Sequence, residues 1–204
     1  YVGNDPSSTT NGANYNVAVG TTALDAITEG DNNTAVGYNA LTSNTAGAGN
    51  TALGYETLKN NATTSYNVAV GNSALEKNVG GYNTAVGNSS LTNKVSGGYN
   101  TAIGHTAGNN ITSGSDNVLI GYNTDASSAT PTNQIVIGKG TSGQADNSVT
   151  LGNADVTAVY MAQDAGATIY ASSLDASGSA GIVLENDETI TNSTDGEITM
   201  TGSV

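Results

Sequence analysis

The phrase "NNTAVGYNALTSN", residues 32–44, returns with small edits along most of this chain. Its core, Asn-(Val/Thr)-Ala-(Val/Leu/Ile)-Gly, begins at Asn16, Asn33, Asn50, Asn67, Asn83 and Asn100. Relatives follow as "NVLIG" from Asn117, "NQIVIG" from Asn133 and "NSVTLG" from Asn147. The phrases close on Gly20, Gly37, Gly54, Gly71, Gly87, Gly104, Gly121, Gly138 and Gly152, in steps of 17, 17, 17, 16, 17, 17, 17 and 14 residues. A period this short leaves no room for a helical hairpin, and the phrase lacks the 3.6-residue spacing of a helix. It suits a coil of two short strands and two turns. The first strand is the Asn-to-Gly phrase. The second is the pair of residues ending at Leu24, Leu41, Leu58, Leu75 and Leu91, and polar stretches such as "TSNTAGAG" supply turn chemistry.

A single coil cannot stand alone, because burying Val36 and Leu41 returns far less than ordering 17 residues costs. Backbone ladders to the coils above and below must supply the difference, which is why the phrase repeats. The reading is therefore all-β: a parallel β-solenoid, or β-roll, of about nine coils over residues 14–152. A linker over 1–13 precedes it and a β-rich connector over 153–204 follows.

Alternation within the strand sends Thr34 and Val36 to one side and Ala35 to the other. The expectation is that the Thr/Val side fills the coil. The column of Ala18, Ala35, Ala52, Ala69, Ala85 and Ala102 then faces a neighbouring chain, since small residues in register permit close approach. The repeated Asn33, Asn50, Asn67, Asn83 and Asn100 are read as a stacked amide ladder. Gly37, Gly54, Gly71, Gly87 and Gly104 are read as corners that need positive φ.

Charge narrows the functions. Only 10% of residues are charged, and 17 Asp and Glu against four Lys give a net charge of −13. Nucleic acid and anionic membrane surfaces both select clustered cations, so neither is an expected partner. No apolar run is long enough for a membrane span. With no Cys, disulfides and thiolate metal sites are excluded. The chain opens on Tyr1 rather than Met, which is read as a processed chain or a piece of a longer one.

"NTAVGYNAL", repeated, together with "NSVTLGNADVTAVYMAQDAGATIYAS" over 147–172, resembles the repeat shafts of bacteriophage tail fibres, segments often followed by an endosialidase-type intramolecular chaperone. The Asn-x-Ala-(Val/Ile)-Gly phrase is also similar to the head repeats of trimeric autotransporter adhesins. That likeness implies a left-handed parallel β-roll in a homotrimer. The adhesin heads favour repeats nearer the 14-residue step between Gly138 and Gly152. Neither the chaperone nor an autotransporter membrane anchor lies within these residues, which fits truncation or processing.

The resemblance implies an extracellular, virion-surface fibre segment that spaces or displays a host-receptor-binding tip, with itself, other virion proteins and a host glycan or protein as partners. The alternative is the head of a bacterial surface adhesin. A polysaccharide depolymerase spike ranks third, because its two carboxylates would have to come from Asp25, Glu29 and Asp31 or from Glu185, Asp187 and Glu188, all in turn-like segments. No enzyme activity and no cofactor is expected.

Four smaller features complete the reading. His105 is the lone histidine and is taken as a surface residue. Asn32, Asn61, Asn110 and Asn192 head Asn-x-(Ser/Thr) triplets, as expected in so Asn- and Thr-rich a chain. Thr34, Thr51, Thr84 and Thr101 repeat as an ice-binding array would, but Val17, Val68 and Val118 interrupt the column and the position is read as interior. Tyrosine fills either the slot before the Asn (Tyr15, Tyr66, Tyr82, Tyr99) or the slot after the Gly (Tyr38, Tyr55, Tyr122), never both in one coil. Both slots are expected to open onto one limited volume at the coil corner or chain interface, in which the rings pack. An exposed ladder of Tyr66, Tyr82 and Tyr99 stacking on host glycan is the alternative.

Overall fold

The computed structural model describes residues 2–3, 12–93 and 96–159. Ten parallel strands form one sheet in strict chain order. They are β1 (Val2–Gly3), β2 (Val17–Gly20), β3 (Thr34–Val36), β4 (Thr51–Leu53) and β5 (Val68–Val70). β6 (Thr84–Val86), β7 (Thr101–Ile103), β8 (Val118–Ile120), β9 (Gln134–Ile137) and β10 (Ser148–Leu151) continue the series. Each strand bonds to the strand of the next coil, which is the topology of a β-solenoid. The sheet starts within the segment read as a linker, because β1 already pairs with Val19 and Gly20. The proposed connector falls outside the described residues from position 160 onward, as do Glu185, Asp187, Glu188 and Asn192.

Register holds across the irregular steps. Ala69 stands beside Ala85 although the step there is 16 residues, and Val149 beside Ile135 across the step of 14. The missing residues come out of the polar turns, where a shorter loop costs little, whereas a one-residue slip in the strand would turn its buried set outward.

Two expectations are corrected. First, each coil has one strand, not two. Leu24, Leu41, Leu58, Leu75 and Leu91 lie in turns with φ between 48° and 52°, the left-handed region. They are nonetheless fully buried. Bonds from coil to coil hold them there: Leu41 N–H donates to Thr57 O at 3.0 Å and Leu58 N–H to Ala74 O at 3.1 Å. The left-handed conformation costs a leucine about 1–2 kcal/mol, and burial of the side chain offsets it.

Second, the alanine column faces inward. Ala35, Ala52, Ala69, Ala85 and Ala102 are fully buried within the coil, while Thr34 and Val36 stand half-exposed on the outer face. Val36 is thus not the core residue it was expected to be; Leu41 is. The coil explains the reversal. Its interior is spanned by the turn leucines, which belong to the same buried cluster as the strand alanines, and beside them there is room for a methyl group but not for a β-branched side chain.

Candidate interaction surface

The asparagines hold the coil together from within. Asn33, Asn50, Asn67, Asn83, Asn100 and Asn117 are completely buried. The Oδ1 of each accepts the backbone N–H of its successor: Asn50 N donates to Asn33 at 2.9 Å, Asn67 N to Asn50 at 3.0 Å and Asn100 N to Asn83 at 3.1 Å. Side-chain amides double several of these links, as from Asn117 Nδ2 to Asn100 Oδ1 at 2.8 Å. A second buried amide column, Asn44, Asn61 and Asn78, runs behind the first, with Nδ2-to-Oδ1 links of 3.3 and 3.2 Å. Asn61 is therefore sealed off from glycosylation in the folded chain, whereas Asn32 is exposed.

The closing glycines turn the strand into the corner. Gly54 has φ 142°, and a Cβ there would press into the carbonyl oxygen of Gly71 in the next coil. The stacked corner has room for hydrogen only.

What remains is the outer face of the sheet, and it carries two columns. One is Val17, Thr34, Thr51, Val68, Thr84 and Thr101; the other is Val19, Val36, Leu53, Val70, Val86 and Ile103. Leu53 is 47% exposed and Ile103 42%, so sizeable aliphatic groups meet solvent in an unbroken row. No charged residue stands in either column. The threonines face outward and not into the core as expected, but valines still interrupt their column and the adjoining one carries no hydroxyl.

The acids lie on the turns. Asp25 and Glu29 are exposed, and Asp31 accepts the Asn14 N–H at 2.6 Å. Glu56 pairs with Lys59 at 2.7 Å. That ammonium holds the Glu56 carboxyl below its ordinary range, and the Thr132 N–H does the same for Asp146. Burial pushes Asp125 up. Among the described residues no group of three or more His, Asp or Glu side chains converges, and no pocket is present.

Tyrosines border the outer face, and they stack within each border. Tyr66, Tyr82 and Tyr99 form a ladder with ring centroids 5.1 and 5.0 Å apart. Tyr38 lies on Tyr55 at 5.4 Å, and His105 on Tyr122 at the same distance. No ring pair among the described residues crosses from one border to the other. Within one chain the two slots are separated by the length of the strand, so they do not open onto a shared volume. The ladder turns both faces of Tyr82 toward neighbouring rings, whereas Tyr66 and Tyr99 at its ends each stack on one ring only.

The border before the Asn is unusual in its backbone. Tyr15, Tyr66, Tyr82 and Tyr99 have φ between 59° and 61°, and the same slot elsewhere holds Asn32, Gly49, Asp116, Asn133 and Asn147, also at positive φ. Asn, Gly and Asp are the residues that tolerate this conformation; tyrosine is not one of them. Composition alone gave no warning of it. No family model, curated protein or solved structure matches the chain.

Proposed function

We propose that the chain is a structural segment of a bacteriophage fibre or spike: an acidic β-solenoid that associates with copies of itself, as a homotrimer, and spaces or displays a host-receptor-binding tip. One observation carries the reading. The molecule partitions its surface, with the charges on the turns and an uncharged aliphatic face along every strand from β2 to β10. A soluble monomer seldom leaves so long an apolar strip in water, so the strip marks a contact surface. In a chain of net charge −13, a face without charge is where two identical copies meet with least repulsion. The contact that sequence reasoning gave to the alanine column belongs on this outer face.

Labelling intact phage particles and their host cells with an antibody raised against residues 12–159 tests the placement. Label on tail appendages is the expected result. Label on the bacterial envelope instead would make the chain an adhesin head, and absence of label from both would sink the reading.

A further inference from the structure

We infer that the tyrosine borders form a matched joint between copies: the slot before the Asn on one copy meets the slot after the Gly at the same coil of the next, so the copies run parallel and in exact register. This rests on the proposed self-association and adds the orientation, register and contacting residues.

The exclusion pattern is the starting point. At β5 the two slots hold Tyr66 and Asn72, at β6 Tyr82 and Asn88, and at β3 Asn32 and Tyr38. At β4 they hold Gly49 and Tyr55, at β2 Tyr15 and Thr21, at β8 Asp116 and Tyr122. Each level from β2 to β8 carries one tyrosine, and β9 and β10 carry none. No ring contact among the described residues of one chain explains this, because ring stacking links only rings on the same border. Two slots that never meet have no steric reason to alternate. They meet if a cyclic assembly sets one edge of the outer face against the opposite edge of the neighbour.

Register follows from the same residues. A shift of one coil one way would set Tyr15 against Tyr38 and Tyr99 against Tyr122. A shift the other way would set Tyr66 against Tyr55. Displacements of two and three coils in either direction also set tyrosine against tyrosine, so among pairings displaced by up to three coils only the unshifted one avoids every collision. At β7, Tyr99 then meets the smaller ring of His105.

Backbone conformation gives a second, independent argument. Tyrosine in the left-handed slot costs about 1–2 kcal/mol relative to the residues that other coils place there. Stacking offsets that for Tyr66, Tyr82 and Tyr99. It does not for Tyr15, which is 84% exposed and has Asn32 in the next coil of its border. A ring held at a strained corner in open solvent is accounted for by a partner surface.

The test uses the whole chain, which contains no Cys of its own. Sedimentation of the unmodified protein comes first, and a monomer there would end the self-association reading and this one together. Given an oligomer, Tyr66→Cys combined with Asn72→Cys should yield disulfide-linked multimers on mild oxidation. The pair displaced by one coil, Tyr82→Cys with Asn72→Cys, should yield about tenfold fewer. Equal yields, or none from the matched pair, overturn the joint while leaving self-association standing. Asn72→Tyr gives an orthogonal readout. In an isolated chain it extends the Tyr38–Tyr55 stack and does no harm; in the joint it adds a ring opposite Tyr66 and weakens assembly by about tenfold or more. Adding Tyr66→Asn to Asn72→Tyr moves the ring to the other slot and restores assembly. Unchanged association for Asn72→Tyr would refute the proposal.

Discussion

The coils of β2 to β6 and those of β7 to β9 enclose their cores with different residues. In the first group each coil sets a strand alanine beside a turn leucine, as Ala52 with Leu58 and Ala69 with Leu75. In the second the turn leucine is gone: Gly108 takes its place at φ 66°, and a Cβ on it would come within 2.8 Å of Leu91 Cδ2. The strand interior is still Ala102 at β7, where Ile111 of the same coil is buried instead, and becomes Leu119 at β8 and Val136 at β9, all fully buried. At β8 and β9 bulk has moved from turn to strand. The amide column changes in the same region. Gln134 replaces the usual Asn, still donates its backbone N–H to Asn117 Oδ1 at 3.0 Å, and sends its longer side chain to Ser127 Oγ and Asp146 Oδ1. What every coil from β2 to β9 keeps is a buried bulky aliphatic side chain and a continuous ladder; which residue supplies either is open.

The sharpest way to break the comparison is at the corners. Gly54→Val should destabilise the chain by about 3 kcal/mol or more, since the backbone of the next coil has nowhere to go. Gly140→Ala, in the other group, also has positive φ (59°) but meets nothing within 4 Å, and should cost about 1 kcal/mol. Equal urea midpoints for the two variants would show that corner stacking does not set the fold.

Core truncations come next. Leu58→Ala should cost about 3 kcal/mol. Leu119→Ala should cost nearly as much, although it installs the very residue that earlier coils carry there. A loss below about 0.5 kcal/mol for Leu119→Ala would mean that Leu119 does not fill the space a turn leucine fills in the first group.

The amide column offers a finer cut. Asn67→Ala strands the buried Asn83 N–H, now held at 3.0 Å, and should cost about 2 kcal/mol. Gln134→Asn keeps the column but loses the reach to Ser127 and Asp146, and should cost about half as much. Calorimetry of both reports the order.

The smallest effect concerns Asp125. Burial raises its pKa in the folded state, so the charged form strains the fold at neutral pH. A raised folded pKa favours the native state below the unfolded carboxyl range and loses that advantage as pH rises through the folded value. Asp125→Asn should therefore be slightly more stable than the parent at pH 7, and the gain should vanish on acidification through the carboxyl range. A gain independent of pH would point to some cause other than the charge.

The period, the first strand of each coil and the amide column were legible in the sequence because each rests on residues with one structural use. Asn repeated every 17 positions beside an apolar strand has few explanations. The phase of the strand was not legible, because "TAV" offers apolar or small groups to both sides. Only the narrowness of the coil selects Ala35 over Val36 for the inside. The left-handed leucines were hidden for a related reason: isolated preference argues against that conformation, and bonds such as Leu41 N to Thr57 O override it. The tyrosine alternation was visible as a pattern. The separation of its two slots was not, since the sequence does not show that rings stack only along one border.

The Asn column runs one way, each Oδ1 receiving the N–H of the coil that follows, and the bond is the same at Asn33, Asn50 and Asn67. An added 17-residue unit would receive its predecessor's bond and pass an identical one to its successor, so neither end of the molecule would register the insertion. Gene duplication or loss of one unit thus resets length in steps of a single rung, about 4.8 Å. Since every copy in an assembly is read from one gene, all would change together. A chain built this way is a ruler whose markings can be added or removed by recombination without recutting the ends.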